Sequence, residues 1–405
     1  RPDLLGYEPR VGISWRPIPA STLVIRAGYG VYDDTSVYLS AAESMSQQAP
    51  LSTSFNVANS STCPLTLADG FRNCAGTTPD NFAIDPNFRV GYAQNWQLSA
   101  QRDMPWALVM TLTYMGTKGT RGMQQFLPNT YPIGATNPCP SCPRGFIYRT
   151  SGGNSTREAG MIQLRRRLRG GFTATVDYTY AKAMDDDAQV GAQGHAAATT
   201  ASSTAQTSAS ATVAQNWLDL SAERGLSTFD QRHLVTALIQ YTSGMGLGGG
   251  SLMSGWRGRL LKEWTARTQI SAGTGFPETP IYLAAVPGTG FANTIRADLT
   301  GAPVYAGSGG YHLNAAAFSA PAAGQWGTAR RDSITGPSQF SLNESLARTF
   351  RLHEPFNLDV RIDATNLLNH AVFTSWNTIV NGTTFGLPAN TSGMRTMQIT
   401  GRLRF

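Results

Sequence analysis

Charge is what this sequence has least of. Of its 405 residues, Asp, Glu, Lys and Arg make up 14 %, against about a quarter in an ordinary soluble domain. Lysine occurs only at Lys118, Lys182 and Lys262, so the net charge of +7 rests almost wholly on arginine. The arginines gather into no basic helix and no aromatic-interleaved patch, which argues against nucleic acid as a partner. No apolar run approaches the ~18 residues of a membrane helix, so any membrane crossing falls to strands. The five histidines, among them His195, His233 and His370, show no paired spacing and no neighbouring nucleophile or acid. No catalytic constellation, metal site or cofactor is expected. No signal peptide is read either: the chain opens RPDLLGYEPRVGISWRP, already inside a strand-like pattern, and is expected to be a piece of a longer protein.

Glycine, serine, threonine, alanine and aromatics are plentiful, a mixture that suits many strands and polar loops. The C-terminus states the pattern most clearly. Met397, Ile399, Gly401, Leu403 and Phe405 fall on one face of a period-two run, and Thr396, Gln398, Thr400, Arg402 and Arg404 on the other. Upstream, Phe356, Leu358, Val360, Ile362 and Ala364 alternate with Asn357, Asp359, Arg361, Asp363 and Thr365. A soluble sandwich alternates too, so the polar face decides: Asp, Arg and Asp in sequence, with Arg again in the last run, suit a wet, charged interior. A charged interior beneath an apolar outer band is the pattern of a transmembrane barrel. The fold class expected is therefore all-β, an antiparallel transmembrane β-barrel.

Further runs occur at Val11–Trp15, Leu23–Val31, Trp96–Ala100, Leu108–Tyr114, Ile162–Leu168 and Phe172–Tyr180, then near 232–243, 262–273, 338–350 and 355–368. With the terminal run that makes about eleven strands. Short turns, at Met104-Pro105, Gly170-Gly171 and Arg351–Glu354, alternate with long segments at about 34–91, 119–155, 185–227, 274–336 and 369–394. If Phe405 ends at the periplasm, the short turns fall there and the long segments outside the cell. Glu344 and Arg348 break the apolar face of their strand, which a β-bulge or a position near the membrane interface would accommodate.

Several motifs have a bland reading beside a sharp one. Ser243–Gly249 contains GxGxxG, with Glu263 downstream, but β pattern rather than a helix follows, so a turn is expected. Cys139-Pro-Ser-Cys142, with Cys63 and Cys74, reads as a redox CxxC, as a four-thiolate zinc site, or as two local disulfides, Cys63–Cys74 and Cys139–Cys142. An oxidising exterior favours the disulfides. Asp185, Asp186 and Asp187 read as a solvated acidic loop rather than a Ca²⁺ site. The inward-facing Arg26, Asp177, Arg267, Asp359, Arg361, Asp363, Arg402 and Arg404 read either as ion pairs within the wall, the commoner use, or as contacts for a solute.

Taken together, PRVGISWRP, VIRAGYGVYDD, YAQNWQLSAQRDMPWALVMTLTYMGTKGT, FTATVDYTYAKAMDD, FDQRHLVTAL and RIDATNLLNHAVF with the closing RLRF resemble the C-terminal part of a TonB-dependent outer-membrane receptor of the Oar-like kind. The resemblance runs from near residue 9 to 405. It implies a 22-stranded barrel of which this chain holds the second half, with a plug domain and TonB as partners outside the chain. It implies solute uptake across the outer membrane of a Gram-negative bacterium; the alternatives are a surface anchor for adhesion or protein export, and a passive porin-like channel. Ile399, Leu403 and Phe405 would form the terminal signal read by the barrel-assembly machinery. The plug and the TonB-contacting segment are not visible in this sequence, and the solute is not identified by it.

Overall fold

The computed structural model describes residues 6–46, 81–141, 146–186, 214–245, 255–285, 292–305 and 312–405, apart from single positions at 36, 127, 129 and 354, together with short pieces between 50 and 79. Eleven strands follow one another across a single sheet in sequence order: β1 (Arg10–Trp15), β2 (Val24–Asp34), β3 (Gly91–Met104), β4 (Leu108–Phe126), β5 (Phe146–Arg169), β6 (Phe172–Asp185), β7 (His233–Thr242), β8 (Thr265–Gly273), β9 (Gln339–His353), β10 (Phe356–Thr365) and β11 (Thr396–Arg404). Two short strands, Asn81–Ile84 beside β5 and Gly225–Leu226 beside β6, bring the sheet to thirteen. Each pair along the main path is antiparallel, as neighbours joined by hairpins must be. Among the described residues, β1 pairs only with β2 and β11 only with β10.

The register sorts the side chains into two faces. One cross-strand row reads Trp15, Ile25, Ala100, Leu112, Ile162, Tyr178, Val235, Ala272 and Phe340 from β1 to β9. The next reads Ile13, Ala27, Leu98, Tyr114, Gly160, Tyr180 and His233. These rows are not covered by protein: Ile13 is 65 % exposed and Trp15 58 %. On β5 the same face runs Glu158, Gly160, Ile162, Leu164, Arg166, so charge brackets the apolar stretch at both ends. The eight residue steps from Glu158 to Arg166 span about 27 Å along the strand, which the usual barrel tilt reduces to about 21 Å of height, close to a ~25 Å apolar band.

Tight turns close one end of the sheet. β3 passes to β4 through Trp106 and Ala107, at φ 63° and 60°, and β5 passes to β6 through Gly170 and Gly171, at φ 60° and 76°. Paired left-handed residues give primed turns, whose twist matches that of the flanking strands. The β7–β8 connection is different. The expected Ser243–Gly249 segment begins in a turn at Ser243 and Gly244, its residues from 246 onward lie outside those described, and a short helix, Gly255–Leu261, then precedes β8 where only β pattern was expected. Glu263 there takes φ 66° and pairs with Arg351 at 3.6 Å.

The opposite end departs from the long polar loops expected. Much of segment 119–155 is strand, since β4 continues to Phe126 and β5 begins at Phe146, with register shifts between Thr120, Gly122 and Gln124. Beyond the apolar band both faces of a strand meet polar surroundings, so pairing persists while the alternation of hydrophobic residues fades. Segment 34–91 likewise contains a helix, Val37–Ser46. The packed apolar core lies at this end too: Ala297, Leu313, Ala317, Phe318, Ile334 and Phe385, all from the long connections, pack with Tyr282, Val304 and Trp376.

A Cβ on Gly171 would both demand a left-handed alanine and run into the Thr242 carbonyl. G171A is expected to destabilise the β5–β6 turn by about 1–3 kcal/mol, against a smaller loss for G170A. Urea titration of the chain folded in vesicles measures both.

Candidate functional site

Two surfaces carry this chain's polar chemistry: the polar face of the sheet and the layer of connections at the end away from the tight turns. On the sheet, Arg26, Asp177, Arg267, Asp359, Arg361, Asp363, Arg402 and Arg404 share one face by register. Arg26 donates to Gln101 Oε1 at 3.1 Å, Gln163 donates to Asp177 at 2.7 Å, and Arg267 Nε donates to Gln240 at 2.8 Å. Arg361 pairs with Asp363 at 2.7 Å, and Arg404 with Asp359 at 2.8 Å. These groups stay partly exposed, so each pair contributes about 0–1 kcal/mol and remains available to exchange partners.

The connection layer is built differently. Gln124 donates to the Asp186 carbonyl, Ala214 N–H to the Gln125 carbonyl, Trp217 Nε1 to the Thr130 carbonyl and Gly324 N–H to the Ile133 carbonyl, at 2.6–2.9 Å. Three connections, after β4, β6 and β8, are thereby tied together. The connection after β10 joins through Asn381, whose side chain bonds both Leu283 N–H and the Leu283 carbonyl at 2.9 Å, and through Glu278, which accepts from Trp376 N–H at 3.1 Å on both carboxylate oxygens.

At the centre sits a buried ionic cluster. Arg331, 2 % exposed, pairs with Asp185 at the end of β6, lies 3.7 Å from Asp332 and donates to the Glu223 carbonyl at 3.2 Å. Arg296 pairs with Glu223 at 2.7 Å; the Glu223 carboxylate also accepts from Gln215 N–H at 2.9 Å, and the Gln215 side-chain oxygen accepts from Arg296 N–H at 2.7 Å. Asp185 is therefore no solvated loop residue: it is fully buried. Asp186 is half-buried and accepts from Asn154 N–H at 2.5 Å, with burial raising its carboxyl above the usual range. Asp187 lies outside the described residues, and among those described no three metal-ligating side chains converge.

Other expectations divide. Cys139 is disulfide-bonded; Cys63, Cys74 and Cys142 lie outside the described residues, as does His195. His233 sits on the apolar face, with its Nδ1 2.9 Å from the Tyr178 hydroxyl, and His370 is exposed in the β10–β11 connection. Arg348 lies over Phe350 and Trp264, 4.4 and 5.5 Å from their ring centroids, beside the tight-turn end of the sheet. Glu344 accepts from the Thr268 hydroxyl at 2.6 Å, and the register irregularity falls beyond both residues, at Arg351/His353. Position rather than a bulge accommodates Arg348. The residues missed from sequence were Glu223, Arg296 and Arg331. Their local sequence carried no signal: Glu223 and Arg331 stand among other charges, in SAERGLS and ARRDS, and the partners of Arg296 and Arg331 lie far off in the chain.

Removing one partner of a buried ion pair leaves an uncompensated charge. R331M is expected to destabilise the connection layer by about 3–5 kcal/mol while the sheet stays intact, seen as protease nicking near 215–232 and 327–336 with unchanged strand protection. Burial also pushes Glu278 up to about 7 and Asp332 up to about 6. A carboxyl with a raised folded-state pKa contributes its stability below the unfolded value and loses it as pH rises through the folded one. Amide exchange in 276–283 and 373–378, corrected for intrinsic rate, is expected to quicken between about pH 5 and about pH 8, and E278Q to flatten that rise.

The chain's sequence matches the family model described as "Outer membrane beta barrel domain" over residues 1–398. No curated protein matches it. Among solved structures, the outer membrane transporter YddB from Escherichia coli superposes with a TM-score of 0.50 at 8 % identity, covering 93 % of this chain and 38 % of that one. The siderophore receptor PiuA from Acinetobacter baumannii gives 0.45 at 9 % identity, covering 97 % and 35 %, and the FrpB iron transporter from Neisseria meningitidis 0.44 at 9 %, covering 98 % and 39 %. The chain thus spans well under half the length of the structures it matches. No helix among the described residues is long and apolar enough to cross a membrane, and the uncovered apolar rows of the sheet are the surface that a strand-built crossing presents to lipid. This chain belongs to the outer membrane β-barrel domain family and resides in the outer membrane of a Gram-negative bacterium.

Proposed function

We propose that this chain is wall and outer mouth of a TonB-dependent receptor barrel that takes up a solute across the outer membrane. The observation that carries the reading is the continuity of the polar sheet face with an ordered connection layer. A passive pore needs only a wet lumen. A receptor also needs a rigid outer surface on which a ligand can settle, and the buried Arg331–Asp185 pair and the apolar cluster around Leu313 supply that rigidity. The likeness to YddB supports the fold, and the resemblance of the strand motifs to Oar-like receptors supports the class.

In this reading Arg26, Asp177, Arg267, Asp359, Arg361, Asp363, Arg402 and Arg404 line the lumen and exchange partners with the plug or the passing solute. The unpaired sides of β1 and β11 meet further strands of a 22-stranded barrel, because an open sheet edge is not viable in lipid. Ile399, Leu403 and Phe405 serve the barrel-assembly machinery, and TonB acts through the plug. The protein makes and breaks no bonds.

The test is depletion of solutes from a complex medium by cells with and without the gene, with and without a protonophore. A solute whose depletion needs both the gene and the proton gradient is the expected result. Depletion that needs the gene alone would favour a passive channel. Loss of surface attachment with no change in any solute would favour an adhesion anchor.

A further inference from the structure

The apolar face of the sheet is not uniform. Between β3 and β6 it is indented by a groove of about 410 Å³ lined by Leu98, Ala100, Leu112, Gly160, Ile162 and Tyr178. The cause is Gly160, which stands between Tyr114 and Tyr180 in its cross-strand row and has nothing within 4 Å of where its Cβ would be. A missing side chain between two large rings leaves a slot running along the strands.

At the tight-turn end of that slot the same face carries two arginines. Arg102 follows Leu98 and Ala100 on β3, and Arg166 follows Ile162 and Leu164 on β5. They stand two strands and one row apart, about 12 Å between Cα positions. Neither forms an ion pair among the described residues. Arg166 lies over the Phe172 ring at 4.7 Å, and its Nε is buried without a hydrogen-bond partner. The nearby Arg167 points to the other face and pairs with Asp103 at 2.9 Å. Arg167 is thus neutralised by a carboxylate, whereas Arg102 and Arg166 meet none among the described residues.

We infer that the groove and these arginines form a site for one anionic phospholipid of the periplasmic leaflet, its acyl chain in the Gly160 slot and its phosphate between Arg102 and Arg166. The dimensions agree: the slot begins one to two rows beyond the arginines, about 7–14 Å along the strands, which is where the upper part of a chain lies when its headgroup is at the interface. Guanidinium offers phosphate a fork of donors, and the aromatic beside Arg166 shields one face of the pair. The inference rests on membrane residence and on the tight turns facing the periplasm. It does not require transport.

Native mass spectrometry tests it on the full chain, released from nanodiscs of phosphatidylethanolamine containing a minor fraction of phosphatidylglycerol. The unaltered chain is expected to retain phosphatidylglycerol preferentially. R102Q/R166Q and, separately, G160F are each expected to lower that retention by about tenfold or more, R102K/R166K to restore part of it, and R167Q to leave it unchanged. G160F keeps both charges and fills empty space, so it separates the slot from any folding effect of the charge change. Equal retention in all variants, equal loss in R167Q, or displacement of phosphatidylglycerol by lipid A at equal concentration would overturn the assignment.

Discussion

A strand in hydrocarbon can satisfy its backbone N–H and C=O groups only through neighbouring strands, and the rest of this structure follows from that requirement. It imposes continuous pairing from β1 to β11, and with it a strict two-residue period whose faces are assigned once for the whole sheet. The apolar face then needs no protein partner, because lipid is its solvent. That is why Ile13, Ile399 and Leu403 are exposed and yet regular. It is also why low charge and scarce lysine mark the chain as a whole: each strand spends half its residues on a surface where charge is costly.

The same requirement displaces the folding core. A sheet with lipid on one side and water on the other has no interior to pack, so the buried apolar cluster and the buried ion pairs both lie in the connections. Ala297, Leu313, Phe318, Ile334 and Phe385 pack there around short strand pairs. The Arg331 and Arg296 pairs are not an efficient source of stability, since desolvation consumes much of their Coulombic gain. What they provide is specificity. Arg331 has to meet Asp185 at the end of β6 and the Glu223 carbonyl at once, so the connection after β8 can be seated in few other ways.

The strands were legible in the sequence wherever apolar residues on one face alternate with polar ones on the other; near 234–241 the alternation is poor, because Leu234 and Leu238 fall on the face opposite Val235 and Ile239. Phe172–Tyr180 and Met397–Phe405 alternate without exception, and the register confirms the sides on which their residues fall. Legibility ended where the lipid did. In TKGTRGMQQ on β4 both faces are polar, so the strand continues with no hydrophobic period to announce it. The connections were harder still, because their order depends on contacts between residues more than a hundred positions apart, such as Gln215 with Gly327 and Arg331 with Asp185. Local composition rich in Ala, Ser and Thr reads as unstructured, and no period-based reading recovers a fold held by such long-range pairs.

On the apolar face, Arg102, Arg166 and Arg348 all lie toward the tight turns, while Glu158 and Lys182 close the band at the other end. Arg166 and Arg348 are each laid over aromatic rings, which lets a long side chain keep its stem in apolar surroundings and its head at the interface. Glu344 departs from this placement, standing between Leu342 and Leu346 on the same face and bonded to the Thr268 hydroxyl at 2.6 Å, whereas Arg166 and Arg348 at the tight-turn margin are bracketed by Phe172, Phe350 and Trp264. The margins hold the sheet at a fixed depth, and a fixed depth is what keeps the connection layer outside the membrane, where a solute can reach it.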